Sequence, residues 1–216
     1  MDIELREKLI GLAKEKITRE DQSHDIHHAL RVLSNVERIA QTEGGDMEIL
    51  VPSALFHDII IYQKNDPCSD NAATESAELA GEILEAIPEY PKEKIKEVYK
   101  CIESCSFTRK TDSNTLSLEA KILQDGDKLE ATGVISIMRT FSSTGQMKRT
   151  FYHPEDPFCI KGRTPDDLKY AIDLFYTRLL VAKDRMHTDK AKEIAERRTE
   201  ILRDFLRELE LELDGK

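Results

Sequence analysis

Apolar residues along this chain recur every three to four positions, the period that lines one face of an α-helix, and hardly anywhere alternate as a half-buried strand would require. Ile3, Leu9, Ile10 and Ala13 open a first amphipathic segment. Asp25, His28, Val32, Val36 and Ile39 form the stripe of a second helix, expected to begin near Ser23 and to stop at Gly44 and Gly45, where glycine suits a left-handed C-terminal residue. Asp46 is placed to cap a third helix running to His57, although Pro52 removes one backbone hydrogen bond from it and should bend it. After a polar loop over 63–71, helices are predicted over about 71–86 and 92–105, separated by "PEYP", and a further one over about 115–141. Residues 143–163 lack sustained periodicity and carry Pro154 and Pro157, which predicts a long loop of the kind that often serves as a lid. Thr164, Pro165, Asp166 and Asp167 read as a helix start, and Thr188 as the cap of a last helix with the stripe Ile194, Ile201, Leu202, Phe205 and Leu209. The pattern predicts an all-α chain of about eight or nine helices, without internal repeats.

Composition narrows the partners. The chain has 216 residues, 39% of them hydrophobic, enough to bury a core, and a single domain over 1–216 is expected. A formal net charge of −10 argues against nucleic-acid polymers and anionic membranes, both of which need a cationic face. A small anionic substrate remains admissible where a local cation offsets that field. The N-terminal "MDIELREKLI" has no apolar core of a signal peptide, and no run reaches the roughly 18 apolar residues that span a bilayer, so a cytoplasmic location is expected. Cys68, Cys101, Cys105 and Cys159 form no C-x-x-C pair, which argues against a zinc ribbon or a thioredoxin-type motif. Cys101 and Cys105, one helical turn apart, read as two small buried thiols.

The chemistry lies in polar residues that interrupt apolar stripes. "ALFHDIII" sets His57 and Asp58 inside a run that is otherwise apolar, and His28 shares a face with Val32 and Val36. In "AKILQDGDKLEATG", Asp125 falls on the stripe of Leu118, Ile122 and Leu129, and Asp127 on that of Ala120, Leu123 and Ala131. A buried imidazole or carboxylate without a partner costs several kcal/mol or changes protonation state, so each of these groups needs one. Two explanations stand at this point: three unrelated capping or hydrogen-bonding arrangements, or one divalent ion shared by three helices. Imidazole nitrogen with carboxylate oxygen suits Mn, Fe, Co, Ni or Zn, and Mg less well.

The order of these residues, in "HDIHHALRV", "ALFHDI", "QDGDKLEATGVISIMRTF" and "FYTRLLVAKDRMHTDKAKEIAERRTEILRDFL", resembles the HD-domain superfamily of metal-dependent phosphohydrolases, and within it the small stand-alone HD hydrolases. The resemblance implies a single HD-type helical bundle, with a metal-binding core over about 20–141 and C-terminal helices over about 164–213 packing on it. It implies His28, His57, Asp58 and Asp127 as ligands of one divalent ion, with Gly126 where alanine is usual and Asp125 as the fallback for the last ligand. The implied activity is hydrolysis of a nucleotide or other small phosphoester by a metal-activated water. Lys128 and Arg139 are then candidates for binding substrate phosphate, against their plain reading as solvated or salt-bridged side chains. His24, Asp66 and Glu75 are candidates for the general acid or base.

Departures from the family pattern sharpen the expectation. "DNAATESAELA" has none of the histidines that follow the HD pair in two-metal members, and Cys105 stands where this subgroup often has histidine, so one ion is expected. Ile61 and Tyr62 replace the acidic pair of the alarmone hydrolases. His153, Arg185 and His187 read as ordinary surface or helix-end residues. The alternative from another class is a sensory or structural helical module that binds metal or nucleotide without turnover. Apolar positions on the last helix would allow a homodimer.

Overall fold

The structure, a computed structural model, describes residues 1–19, 24–62, 66–105 and 113–216. The predicted start near Ser23 and the first three positions of the 63–71 loop lie outside the described residues. Eight α-helices are present among them: α1 (Ile3–Lys16), α2 (Ile26–Glu43), α3 (Met47–Phe56), α4 (Ala72–Glu85), α5 (Ile95–Glu103), α6 (Leu118–Lys128), α7 (Gly133–Met147) and α8 (Asp189–Leu213). Shorter helical turns link them, and a lone parallel bridge joins Thr150 to Tyr170. The all-α architecture is therefore as the periodicity predicts. None of the described helices is long and apolar enough to cross a membrane. The chain divides into two compact units, Met1–Asp127 and Lys128–Lys216.

The first unit is built around α3. Every residue of α3 from Ile49 to Phe56 is buried, the mark of a helix enclosed on all sides, and α1, α2, α4 and α5 all pack against it. The caps foreseen from sequence are in place. Asp46 Oδ1 accepts from Glu48 N at 2.9 Å, and Gly44, at φ +86°, ends α2 with its N–H on Ala40 O. Lys92 Nζ donates to the carbonyls of Leu84, Glu85 and Ile87 at 2.6–2.8 Å, satisfying the C-terminal end of α4.

The second unit has its own core. Ile172, Phe175, Leu179, Leu202 and Leu206 are buried together, with Phe175 stacked on Phe205 at 5.4 Å between ring centroids. Thr188 caps α8 by accepting from Ala191 N.

Three boundaries differ from expectation. The helix predicted over 115–141 is two helices, because Thr132 is extended and donates its hydroxyl back to Leu129 O at 2.6 Å, and Gly133 takes φ +68°. A side chain at Gly133 would be strained by that φ and would press on Arg198 Cβ at 3.1 Å. α7 then runs on to Met147, past the predicted start of the loop at 143. Its hydroxyls fold back onto the helix, Thr140 to Ser136 O and Thr144 to Thr140 O, and so are satisfied without breaking it. Finally, no helix starts at Thr164. Asp166 N donates instead to Asp173 at 2.6 Å, and Arg163 grips the same carboxylate with both terminal nitrogens at 2.5 and 2.6 Å. A fully buried acid eight residues downstream of Pro165 thus outcompetes the local capping signal.

Candidate metal centre

Each residue of the centre is delivered by the end of a helix. Asp25 caps α2 by accepting from His28 N at 2.9 Å, which fixes the first turn and sends the His28 ring inward on the face of Val32, Val36 and Ile39. His57 closes α3, where its Nδ1 donates to Ala54 O at 2.9 Å. That bond selects the tautomer in which Nε2 carries a lone pair. Nε2 of His57 is buried and has no hydrogen-bond partner among the described residues. Asp58 turns out of α3 immediately after it, and Asp127 lies in the last turn of α6.

His28, His57 and Asp58 each bring a ligand atom within 4.8 Å of the others, and Asp127 approaches both imidazoles. His28 Nε2 lies 3.7 Å from Asp58 Oδ2 and 3.6 Å from Asp127 Oδ1; His57 Nε2 lies 3.6 and 3.9 Å from the same two atoms. The imidazole centroids are 5.4 Å apart, and both histidines are almost wholly buried. Ligand atoms about 2.0–2.2 Å from one ion at tetrahedral or octahedral angles lie about 3–3.5 Å from one another, so this spacing needs only slight contraction to hold a cation. The donor set, two nitrogens and two carboxylate oxygens around a buried bare lone pair, fits a divalent transition metal. Burial pushes the Asp58 carboxyl up, but the adjacent imidazoles of His57 and His28 outweigh it and hold it well below the ordinary carboxylate range. A carboxylate that stays ionised there is ready to bind a cation.

Neighbouring contacts fix the scaffold, and of these residues the sequence singled out Gly126 but not Ser76 or Asn35. Ser76 of α4, fully buried, accepts from Ile60 N at 3.1 Å and donates to Ile60 O, clamping the chain two residues after Asp58. Its place on the buried stripe with Ala77, Ala80 and Leu84 was the available signal. Asn35 Nδ2 on α2 donates to Gly126 O at 3.0 Å, one residue before Asp127. A methyl group at Gly126 would stand 2.5 Å from Val36 Cγ2, so glycine is what allows α6 to lie this close to α2.

The remaining sequence candidates fall as follows. Asp125 is fully buried, whereas it is Asp127 whose Oδ1 faces both imidazoles. The His24 ring meets His28 edge-on at 5.6 Å. Asp66 caps the turn at Pro67–Asn71 by accepting from Cys68 N at 2.8 Å, and Glu75 accepts from the Tyr62 hydroxyl, whose pKa that bond raises to about 12. In the second unit Lys128 Nζ donates to His187 Nε2 at 2.9 Å and to Arg185 O, while Arg139 lies 4.0 Å from the buried Glu130 carboxylate. His153 accepts the N–H groups of Glu155 and Asp156 and rests on Tyr170. Cys101 is buried, Cys105 half-buried and Cys68 exposed.

Residues 25–132, which contain all four converging side chains, match the model of the HD domain. YpgQ of Bacillus subtilis is 30% identical over 203 residues, 92% of this chain and 89% of its own. The crystal structure of YpgQ in complex with ADP is similar with a TM-score of 0.73 and 27% identity, covering 97% of this chain and 98% of that one. An HD-superfamily hydrolase from Bacillus thuringiensis is similar with a TM-score of 0.71 and 27% identity over 99% and 98% of the two chains.

Proposed function

This chain belongs to the HD-domain family, and on that premise we propose that it is a metal-dependent phosphohydrolase acting on a nucleotide or another small phosphoester. The observation that carries the reading is the convergence of His28 Nε2, His57 Nε2, Asp58 Oδ2 and Asp127 Oδ1 at 3.6–3.9 Å across the imidazole–carboxylate pairs. These four residues would hold one divalent ion. When bound, such an ion supplies Lewis acidity, making water a nucleophile near neutral pH and neutralising charge on a phosphoryl oxygen.

The protein's own groups set the conditions for that chemistry. Ala54 O takes up Nδ1 of His57, so Nε2 is the nitrogen left to face an ion. The two carboxylates match the charge of a dication in a chain whose net charge of −10 would otherwise repel a phosphate. Of the general acid or base candidates we prefer His24, because its ring packs against a ligand while Asp66 and Glu75 are engaged in a cap and a tyrosine hydrogen bond. Lys128 and Arg139 are retained as candidates for the substrate phosphate. A nucleotide is favoured among small phosphoesters because YpgQ has been crystallised with ADP.

That complex equally favours a second reading, a nucleotide-binding module without turnover, and one experiment separates the two. Metal content is measured for the wild type beside His57→Ala/Asp58→Ala, followed by phosphate release from a panel of nucleotides with Mn, Co, Ni or Mg added. About one ion per chain, lost in the double variant, with metal-dependent turnover, supports the hydrolase. Metal binding with no turnover on any nucleotide favours the module. No metal in either protein after reconstitution overturns the site.

A further inference from the structure

Arg19 lies just beyond the end of α1, in "KITRED", where sequence offers no reason to read it as anything but a solvated charge. The structure gives its guanidinium a specific task. Nε donates to His24 O at 2.6 Å, Nη1 donates to Ile59 O at 3.1 Å, and Nη2 donates to Asp58 O. One planar fork therefore joins two stretches of backbone that are 34 residues apart in sequence, the approach to α2 and the exit from α3. The first stretch leads, one helical turn later, to His28, and the second is Asp58 and its successor.

The carbonyls of Asp58 and Ile59 follow the end of α3, where helical bonds run out and a cation is favoured by the helix dipole. Ile60 is held from the other side by Ser76. Between them the two side chains pin three consecutive peptides that set where the Asp58 carboxylate points. A donor that spans both segments also fixes the distance between the His28 and Asp58 ends of the site. Arginine suits this because its rigid fork presents several N–H groups at once, while a lysine ammonium is a single centre.

We infer that Arg19 is a positioning residue for the metal centre, holding the backbone of the HD turn against the entry to α2 so that His28 and Asp58 are set for one ion before it binds. The inference rests on the metal reading above. Loss of a residue that orients ligands costs metal affinity, typically about 10- to 100-fold, without removing a ligand.

The test titrates the full-length protein with Mn2+ alone, and with Ni2+ alone in parallel, and records the melting temperature of the chelator-treated protein. Variants are Arg19→Met, which keeps length without donors, Arg19→Lys, which keeps charge without the fork, and Arg19→Ala with millimolar guanidinium ion restored. Arg19→Met should weaken metal binding about 10- to 100-fold. Arg19→Lys should weaken it nearly as much, and guanidinium should recover part of the loss in Arg19→Ala. Should Arg19→Met fail to fold, the lysine variant and the guanidinium rescue carry the same reading. A melting temperature that falls while the metal dissociation constant stays within twofold of wild type overturns the inference, since Arg19 would then hold only the fold. A wild type that takes up no ion overturns the metal reading and this inference with it. A wild type that binds, beside an Arg19→Met that binds equally well, overturns this inference alone.

Discussion

Gly126→Ala is the substitution whose outcome the structure fixes most sharply. Alanine gains about 1 kcal/mol over glycine in a helix interior, so propensity alone predicts a more stable protein. Packing predicts the reverse. The added methyl would sit 2.5 Å from Val36 Cγ2 and 3.4 Å from Val32 O and Val36 N. Carbon pairs settle at about 3.5–4.0 Å, so roughly 1 Å must be recovered. Val36 is fully buried on a helix, where a β-branched side chain has one strongly preferred rotamer, so α6 has to move instead. Overpacking of this kind costs about 1–3 kcal/mol. Burial and rotamer stiffness put the cost in the upper part of that range, leaving a net loss of about 1–2 kcal/mol after the propensity gain. At about 2–4 °C per kcal/mol for a chain of this size, the melting temperature of the metal-free protein should fall by about 2–8 °C. The same movement stretches the 3.0 Å bond from Asn35 to Gly126 O and carries Asp127 away from the imidazoles, so metal binding should weaken at least about tenfold, given a positional tolerance near 0.5 Å. Val36→Ala removes the obstructing atom. In a double-mutant cycle read by thermal melting, the pair should therefore be about 1 kcal/mol or more better than the sum of the singles. A Gly126→Ala protein as stable as wild type with unchanged metal affinity, or a cycle that closes to zero, would refute the reasoning.

Three further outcomes are expected. Asp127→Asn should lose most of its bound metal and at least about 100-fold of any metal-dependent activity, while Asp125→Asn should lower the melting temperature but keep the ion; the reverse pattern by elemental analysis would exchange their roles. Asp173→Asn leaves Arg163 without its buried carboxylate and should cost about 3–5 kcal/mol, with exchange protection lost across 156–173 and metal content unchanged. Burial alone would raise the Asp173 pKa, but Arg163 and the Asp166 N–H outweigh it and lower the folded value. Its stabilisation is therefore complete above the unfolded pKa of about 3.9 and drains away as pH falls through the lower folded value, so wild type and Asp173→Asn should converge in stability in acid; curves that stay parallel to the lowest pH would contradict this. Thr188→Ala removes the cap of α8 and should cost about 1 kcal/mol by chemical denaturation, with no effect if the cap is idle.

Much of the candidate site was legible because its residues break local rules. His28, His57, Asp58 and Asp127 each put a polar group where the helical period demands an apolar one, and burial of such groups requires a partner whatever the fold. The order of those breaks, and the blocks around them, carried the family resemblance. The caps at Asp46 and Thr188 were legible for the same reason, since a capping side chain bonds to a backbone N–H within its own turn. Tertiary structure decided what depends on groups distant in sequence. Thr164 to Asp167 has the local form of a helix start, yet the Asp166 N–H goes to Asp173, itself held by Arg163, and a pairing across more than one helical turn is outside what a capping signal encodes. Arg19 looks solvated until the chain brings the carbonyls of His24 and Asp58 to it, and Gly126 looks like a weak point in α6 until Val36 of α2 is packed against it. Helical period and local capping are written in consecutive residues, whereas donor geometry and close approach arise only when separate helices share one space.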